Sequence, residues 1–254
     1  MWSDMSSHID VTDDGAVRTV RINRPEKKNA LTGDMYEAMA AALTSAKHAP
    51  DIRCVMFAGL PGAFCAGNDL DEFRQAAESG EGLSNSVLRF LYALASSEKP
   101  LVAAVNGLAI GIGTTMLLHC DYVVASREAR FVTPFVNLGL VPEAASSLLA
   151  PRLMGPRHAF ALLVMGEPLD AQDAMLAGLV NAIADSADVD QRTLDAAQKI
   201  TKLPPDAVLS SRRLMRGTAE DIITRIDTEA DFFRERLQSP EAQAAFAAFF
   251  SRKK

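Results

Sequence analysis

The sequence predicts an α/β protein with a helical carboxyl-terminal region. Three observations predict this class: short apolar runs end in glycine-rich turns, amphipathic helical stretches follow these turns, and the last part of the chain has helical patterns alone. Strands that alternate with helices build a largely parallel sheet, and such sheets bind ligands where their strands end. With 254 residues, the chain is long enough for one large core and an appendage.

The predicted strands are short and apolar, and they cover 16–23, 52–58, 101–105, 122–125, 130–132 and 179–183. The uncharged stretch 100–118 is long enough to suggest a membrane span. Asn106 and the glycine turn at 107–113 interrupt it, and a buried parallel strand is also a continuous apolar run. We therefore predict a buried strand, a turn and a helix here, and no membrane partner.

The predicted helices follow apolar stripes and capping residues. The first begins near Thr32 or Asp34, and its apolar stripe consists of Met35, Met39, Leu43 and Ala46. Others are predicted around 83–96 and from about 112, and Pro142 suits the first position of a helix that runs to about 153. Asp170 is the predicted cap of a short helix that ends at Gly178. Four more helices are predicted over 189–202, 205–216, 219–237 and 240–250.

Charge and composition predict two regions, a core over residues 1–198 and a helical region over residues 199–254. The helical region holds 11 Lys+Arg and 8 Asp+Glu, whereas the rest of the chain has a net negative charge. It also holds five phenylalanines that need cover: Phe232, Phe233, Phe246, Phe249 and Phe250. Either the protein's own core or a partner subunit supplies that cover, and the pattern leaves both open.

Several function classes lack support in the sequence. The net charge of −6 argues against nonspecific nucleic-acid binding, so no nucleic-acid partner is predicted. The four histidines are scattered and the three cysteines form no CxxC pair, so no metal site is predicted. Phosphate-loop glycine motifs and a GxSxG nucleophile motif are missing. The acidic amino-terminal stretch does not resemble a secretory signal, so we expect a cytoplasmic location.

Two glycine turns are the first candidates for a ligand site. Ala66-Gly67 and Gly111-Ile112-Gly113 each follow a strand pattern. Small residues let a ligand approach backbone N–H groups, and the second turn opens a helix, where N–H groups are unpaired. Two such turns facing each other could hold one negative oxygen. The alternative is that the glycines only permit tight packing of strands against helices.

Five segments resemble the crotonase (enoyl-CoA hydratase/isomerase) superfamily. They are 23–31 (NRPEKKNAL), 63–70 (AFCAGNDL), 104–113 (AVNGLAIGIG), Cys120-Asp121 and 177–180 (AGLV). Their order and spacing make the resemblance specific over nearly the whole chain. It implies a crotonase-like spiral of ββα turns followed by a helical trimerisation region, and therefore a homotrimer or a dimer of trimers.

The resemblance also implies an acyl-CoA thioester as substrate. No separate cofactor is implied, because coenzyme A is part of the substrate. By position, the backbone N–H groups of Ala66 and Ile112 hold the thioester oxygen. The implied substrate-binding residues are Lys28, Ala30, Ala66, Gly67, Asn68, Asp69, Leu70, Gly111 and Phe135. A cation of the tail, such as Lys253, is a candidate contact for the CoA phosphates, or else a solvated surface charge.

The catalytic acids depart from the commonest pattern of the family. Hydratases have glutamates where this chain has Thr115 and Phe135, so water addition lacks its two proton-transfer groups. The segment 133–147 instead resembles the peroxisomal and yeast-type Δ3,Δ2-enoyl-CoA isomerases, whose base is a glutamate that Glu143 matches. Ala144 stands where that group usually has glycine. Without the resemblance, Glu143 is an ordinary acid in the first turn of a helix.

The resemblance thus implies an isomerase of fatty acid metabolism and β-oxidation that shifts a 3-enoyl-CoA double bond to the 2-position. Two alternatives remain open at this point. One is another crotonase-type reaction on acyl-CoA, such as hydration or thioester hydrolysis. The other is a trimer that binds acyl-CoA without catalysis.

Overall fold

The computed structural model describes residues 6–79 and 82–251. The strands are β1 (Ile9–Asp14), β2 (Val17–Ile22), β3 (Cys54–Ala58), β4 (Ala63–Cys65), β5 (Leu101–Val105), β6 (Leu108–Ile110), β7 (Tyr122–Ser126), β8 (Arg130–Val132), β9 (Leu169–Asp170) and β10 (Ala182–Ala184). The helices are α1 (Gly33–His48), α2 (Leu70–Ser79), α3 (Asn85–Ala95), α4 (Ile112–Thr115), α5 (Ser146–Phe160), α6 (Ala171–Leu176), α7 (Val189–Thr201), α8 (Pro205–Arg216), α9 (Ala219–Leu237) and α10 (Pro240–Ser251). Short 3-10 turns cover Pro25–Lys27, Met116–His119 and Val136–Leu138, and a π-helical turn covers Ala161–Met165.

The strands form two sheets. The larger has the order β1-β2-β3-β5-β7-β10 and is parallel except for β1 against β2. The smaller has the order β4-β6-β8-β9 and is parallel except for β8 against β9. Each of the pairs β3/β4, β5/β6 and β7/β8 places its first strand in the larger sheet and its second in the smaller. The chain therefore advances as a spiral, and the predicted α/β architecture is confirmed.

Strand β5 explains the uncharged stretch at 100–118. Its five residues are all fully buried. Leu101, Ala103 and Val105 join the main core, whereas Val102 and Ala104 join the apolar cluster on the face that α7 covers. A strand buried on both faces is apolar at every position. Within the described ranges, no helix is long and apolar enough to cross a bilayer.

Helices α1 and α6 confirm two predictions of helix position. The four stripe residues of α1 are all buried, and Thr32 precedes the helix without a side-chain cap bond. The Asp170 side chain accepts the backbone N–H of Asp173 at 2.9 Å and caps α6. The four tail helices also lie within one residue of their predicted bounds.

The helix predicted to begin at Pro142 begins four residues later, at Ser146. The reason is local: Ala144 and Ala145 have φ values of 62° and 55°, which no helical turn can contain. Glu143 therefore lies in a loop, and the alternative of an ordinary first-turn acid is wrong.

Other elements lie outside the sequence predictions. Strands β1, β4 and β6 and helix α2 were not predicted, and the last predicted strand is shorter and later, at β10. Strand β6 lies inside the stretch 107–113 that was interpreted as a turn, and β4 follows the glycine- and proline-rich residues 59–62 directly, so neighbouring turn residues concealed both three-residue strands.

The tail helices return to the core of their own chain. Phe233 and Phe246 are 2% and 6% exposed within the single chain, whereas Phe232 is 55% exposed. The core thus covers part of the aromatic cluster without a partner subunit.

Candidate active site

One pocket of about 900 Å³ lies where β4, β6 and β8 end. All eleven residues that the sequence analysis assigned to catalysis or binding line it: Lys28, Ala30, Ala66, Gly67, Asn68, Asp69, Leu70, Gly111, Ile112, Phe135 and Glu143. Because β4, β6 and β8 are parallel neighbours, the segments after them reach the same edge of the sheet.

The two glycine turns pack directly against each other. A Cβ atom on Gly113 would lie 2.6 Å from the carbonyl oxygen of Cys65, and one on Gly67 would lie 3.2 Å from that of Ile110. Glycine is therefore required at Gly113 for close packing. The same packing brings both turns to one wall of the pocket, so the two interpretations of these glycines are compatible.

The first turn offers a different N–H group from the predicted one. The N–H of Ala66 donates to the carbonyl oxygen of Lys28 at 3.1 Å, so it is already bonded, contrary to the prediction. Leu31 bridges the next residues, donating to Gly67 O and accepting from Asp69 N. In such a parallel bridge, the N–H of the residue between Gly67 and Asp69 points away from Leu31. The N–H of that residue, Asn68, has no acceptor in the described part of the chain.

The second turn offers the predicted N–H group. Ile112 is the first residue of α4, so its N–H has no acceptor within the helix. It has no other acceptor among residues 6–79 and 82–251, and the residue lines the pocket. The Ile112 side chain is 3% exposed and belongs to the main core.

Residues of the 23–31 segment hold the first turn in place. The Asn29 side-chain amide donates to Ala63 O at 2.7 Å, and its oxygen accepts the N–H of Arg24 at 2.8 Å. Arg24 in turn donates to the Asp69 carboxylate at 2.7 Å. The charge of Asp69 is therefore paired, and this carboxylate fixes the wall of the pocket.

Among the carboxyl groups that line the described pocket, Glu143 is the one that forms no ion pair. Glu143 is 4% exposed, and its Oε1 accepts a hydrogen bond from the hydroxyl of Thr115 at 2.5 Å. The other carboxylates of the wall, Glu26 and Asp69, both pair with Arg24. Across residues 6–79 and 82–251, no Lys, Arg or His nitrogen lies within ion-pair distance of the Glu143 carboxyl group.

Burial shifts the proton affinity of this acid. It raises the pKa of Glu143 from its ordinary value of 4.5 to about 8. The hydrogen bond from Thr115 opposes the shift, and the nearby charge of Glu229 adds to it. A carboxyl group with a pKa near neutrality is a strong base for a carboxylate and suits general base catalysis.

The positions of the two hydratase glutamates hold residues that cannot replace them. Phe135 is 8% exposed and forms part of the apolar wall. Thr115 is fully buried, and its hydroxyl is bonded to Glu143. The described pocket thus offers one carboxyl group for proton transfer.

The sequence analysis missed several parts of this site. Helices α9 and α10 complete the apolar wall with Phe233, Ala245, Phe246, Ala248 and Phe249. The density of phenylalanine in the tail was the available signal. Lys27 and Lys28 are exposed residues of the wall, whereas Lys253 lies outside the described residues.

Comparisons with known proteins agree with this geometry. The sequence model of the enoyl-CoA hydratase/isomerase family matches residues 12–254. Enoyl-CoA delta isomerase 2 of Rattus norvegicus is 36% identical over 253 residues, which is 98% of this chain and 64% of the rat protein. The chain thus spans less than two thirds of the length of that relative.

Relatives of similar length carry other names. 1,2-Epoxyphenylacetyl-CoA isomerase of Escherichia coli K12 is 32% identical, with 93% of each chain covered. Short-chain-enoyl-CoA hydratase of Clostridium acetobutylicum is 32% identical, with 98% of this chain and 96% of the relative covered. The solved structure of Pseudomonas aeruginosa OdaA is 44% identical with a TM-score of 0.90, covering 96% of this chain and 99% of that one. The chain belongs to the enoyl-CoA hydratase/isomerase family of the crotonase superfamily.

Proposed function

We propose that the protein is a Δ3,Δ2-enoyl-CoA isomerase with Glu143 as its single proton-transfer group. The observation that carries this proposal is the position of Glu143, buried and without a cation in the pocket that the two glycine turns line. The rat relative with an isomerase name supports the same reaction.

The reaction needs one base and one oxyanion site. The C2 proton of a 3-enoyl thioester lies between the carbonyl group and the alkene, so its removal gives a dienolate. Glu143 takes that proton, and the C–H electron pair delocalises onto the thioester oxygen. Return of the proton from Glu143 to C4 leaves the double bond between C2 and C3. Atoms and charge balance without any other reactant.

The oxyanion donors are the N–H groups of Asn68 and Ile112. In this proposal Asn68 takes the place predicted for Ala66, whose N–H is bonded to Lys28. A donor of this kind is typically worth about 3 kcal/mol of transition-state stabilisation. Both donors belong to backbone that glycine packing and the Asn29 and Arg24 bonds hold in place, so little reorganisation is needed when charge develops.

Hydration is the second candidate because the Clostridium relative is named a hydratase. Water addition needs one group to activate water and another to supply a proton. Phe135 and Thr115 leave Glu143 as the only acid of the described pocket without a cation. This composition favours isomerisation over hydration.

Separate incubation with 3-enoyl-CoA and 2-enoyl-CoA tests the proposal. We expect conversion of the first to the conjugated thioester, followed by its ultraviolet absorbance, and negligible hydration of the second. If the protein hydrates 2-enoyl-CoA as fast as it isomerises 3-enoyl-CoA, the proposal is wrong and the protein is a hydratase. Thermal stabilisation by both thioesters without turnover would replace it by a non-catalytic acyl-CoA-binding protein.

We also propose that the chain assembles as a homotrimer or a dimer of trimers in the cytoplasm. Leu214 and Met215 of α8 are 85% and 87% exposed, and large apolar side chains at a surface favour association. Light scattering of the purified protein measures the assembly, and cell fractionation measures the location.

A further inference from the structure

The loop that carries Glu143 is strained and begins a helix that cannot cap itself. Ala144 and Ala145 both adopt left-handed backbone with φ values of 62° and 55°, which disfavours any residue with a Cβ atom. Ala145 is also the N-terminal cap of α5, and its methyl group cannot accept a hydrogen bond from the first turn. Other groups must therefore hold this loop in place.

Glu229 of α9 supplies the missing cap from a distant part of the chain. Its carboxylate accepts the N–H of Ala145 at 2.6 Å and the N–H of Ser147 at 2.9 Å. It also accepts the Ser147 hydroxyl at 2.5 Å. Three charge-assisted bonds from one buried carboxylate fix the backbone immediately after Glu143, and the positive end of α5 favours the negative charge.

A second contact to the same loop comes from a residue that precedes it in the chain. His119 Nε2 lies 2.8 Å from the carbonyl oxygen of Ala144. Burial lowers the pKa of His119 to about 4, so the ring is neutral and donates this hydrogen bond. The loop thus has one support from the 3-10 turn and one from α9.

We propose, given the isomerase function above, that Glu229 is a positioning residue whose buried carboxylate holds the loop 143–147 so that Glu143 points into the pocket. Glu229 does not itself line the pocket, so its hydrogen bonds act on the reacting atoms through this loop. Its position on α9 also places it four residues before Phe233, which lines the same pocket. One helix face thereby supports the base and the apolar wall together.

The two buried carboxyl groups also influence each other electrostatically. Burial raises the pKa of Glu229 to about 7, and bonds from Ser147 and Ala145 and the charge of Arg225 oppose that shift. The charge of Glu229 is one cause of the raised pKa of Glu143. The titratable groups facing this region are Glu143 on the loop, Glu229 and Arg225 on α9, His119 on the 3-10 turn, Tyr36 on α1 and Cys65 on β4. Burial keeps Tyr36 and Cys65 protonated, so Glu229 is the negative neighbour of Glu143 in this set.

The test compares Glu229→Gln and Glu229→Ala with a matched control, Glu235→Gln. Glu235 lies on the same helix and is exposed, so its substitution removes the same charge without touching the loop. The glutamine keeps the size of the side chain and one acceptor oxygen, but its NH2 group cannot accept the N–H that the other carboxylate oxygen accepts. The alanine removes the whole support.

We expect turnover of 3-enoyl-CoA to decrease in the order wild type, Glu229→Gln, Glu229→Ala, with kcat of the alanine variant about 100-fold lower. KM changes by less than about threefold, because residues 144–147 do not line the pocket. Glu235→Gln retains wild-type turnover. Wild-type kcat in a folded Glu229→Ala variant overturns the proposal, and so does a KM increase with unchanged kcat in Glu229→Gln.

A second readout does not depend on turnover. Infrared difference spectra record the titration of the Glu143 carboxyl group, which Glu143→Gln identifies. We expect the midpoint to fall in Glu229→Gln by about one pH unit, because a negative neighbour is lost. An unchanged midpoint overturns the inference about Glu229. A lowered midpoint in a protein without isomerase activity supports the coupling and rejects the proposed function alone.

Discussion

The raised proton affinity of Glu143 predicts how catalytic efficiency depends on pH. A general base acts in its ionised form, and burial raises the pKa of this carboxyl group to about 8 in the free protein. Below that value, kcat/KM should fall about tenfold for each pH unit, so the value at pH 6 should be about 100-fold below the plateau. An ordinary carboxylate would be fully ionised over this whole range.

The assay is the initial rate of 3-enoyl-CoA conversion at substrate concentrations below KM, from about pH 5.5 to about pH 9.5 at constant ionic strength. Samples returned from each pH to pH 8 serve as the control, because full recovery of the rate excludes unfolding. The predicted profile rises with a slope of one and levels off near pH 8. A flat profile down to pH 5.5 would refute the reasoning, since the base would then have an ordinary pKa.

Three further predictions concern groups around this base. Thr115→Val removes the hydroxyl that stabilises the ionised form of Glu143, so the midpoint of the same pH profile should rise by about one unit or more; an unchanged midpoint would reject this role. Gly113→Ala places a Cβ atom against the Cys65 carbonyl oxygen and displaces the turn that carries Ile112, so kcat/KM should fall by about 100-fold. The comparison variant is Gly15→Ala, whose added atom meets nothing and whose φ of 55° strains only the turn between β1 and β2, which does not line the pocket. The free energy of unfolding should decrease as pH rises from about 5 to about 8, because the folded state binds the Glu143 proton more tightly than the unfolded state does. The decrease that this group causes approaches about 1.4 kcal/mol per pH unit. Chemical denaturation at several pH values should therefore give a dependence on pH that is shallower by this amount in Glu143→Gln than in the wild type.

The sequence predicted the secondary-structure elements that depend on residues close together in the chain. The apolar run of β5, the buried stripe of α1 and the Asp170 cap each depend on residues close together in the chain. The candidate site was predicted from the resemblance, and its eleven residues line one pocket. The strand, the helix and the cap are each visible within a short window of sequence, and so is each separate segment that carries the resemblance.

The features that the sequence did not reveal depend on contacts between distant residues. Ala66 and Asn68 lie in the same turn, and only the bond from Ala66 to Lys28 distinguishes the bonded N–H from the open one. The start of α5 depends on left-handed alanines, which have no preference for that conformation. Glu229 lies more than 80 positions from the loop that it holds. No periodic pattern encodes such a contact.

The most direct test of the central claim is the turnover of 3-enoyl-CoA by Glu143→Gln, measured together with the affinity of the variant for acyl-CoA. Glutamine fills nearly the same space and still accepts the Thr115 hydroxyl, but it cannot take a proton at the pH of the assay. The account predicts that kcat falls by at least about 1000-fold while affinity for acyl-CoA stays within about threefold of the wild type. Wild-type turnover in this variant would contradict the assignment of Glu143 as the base.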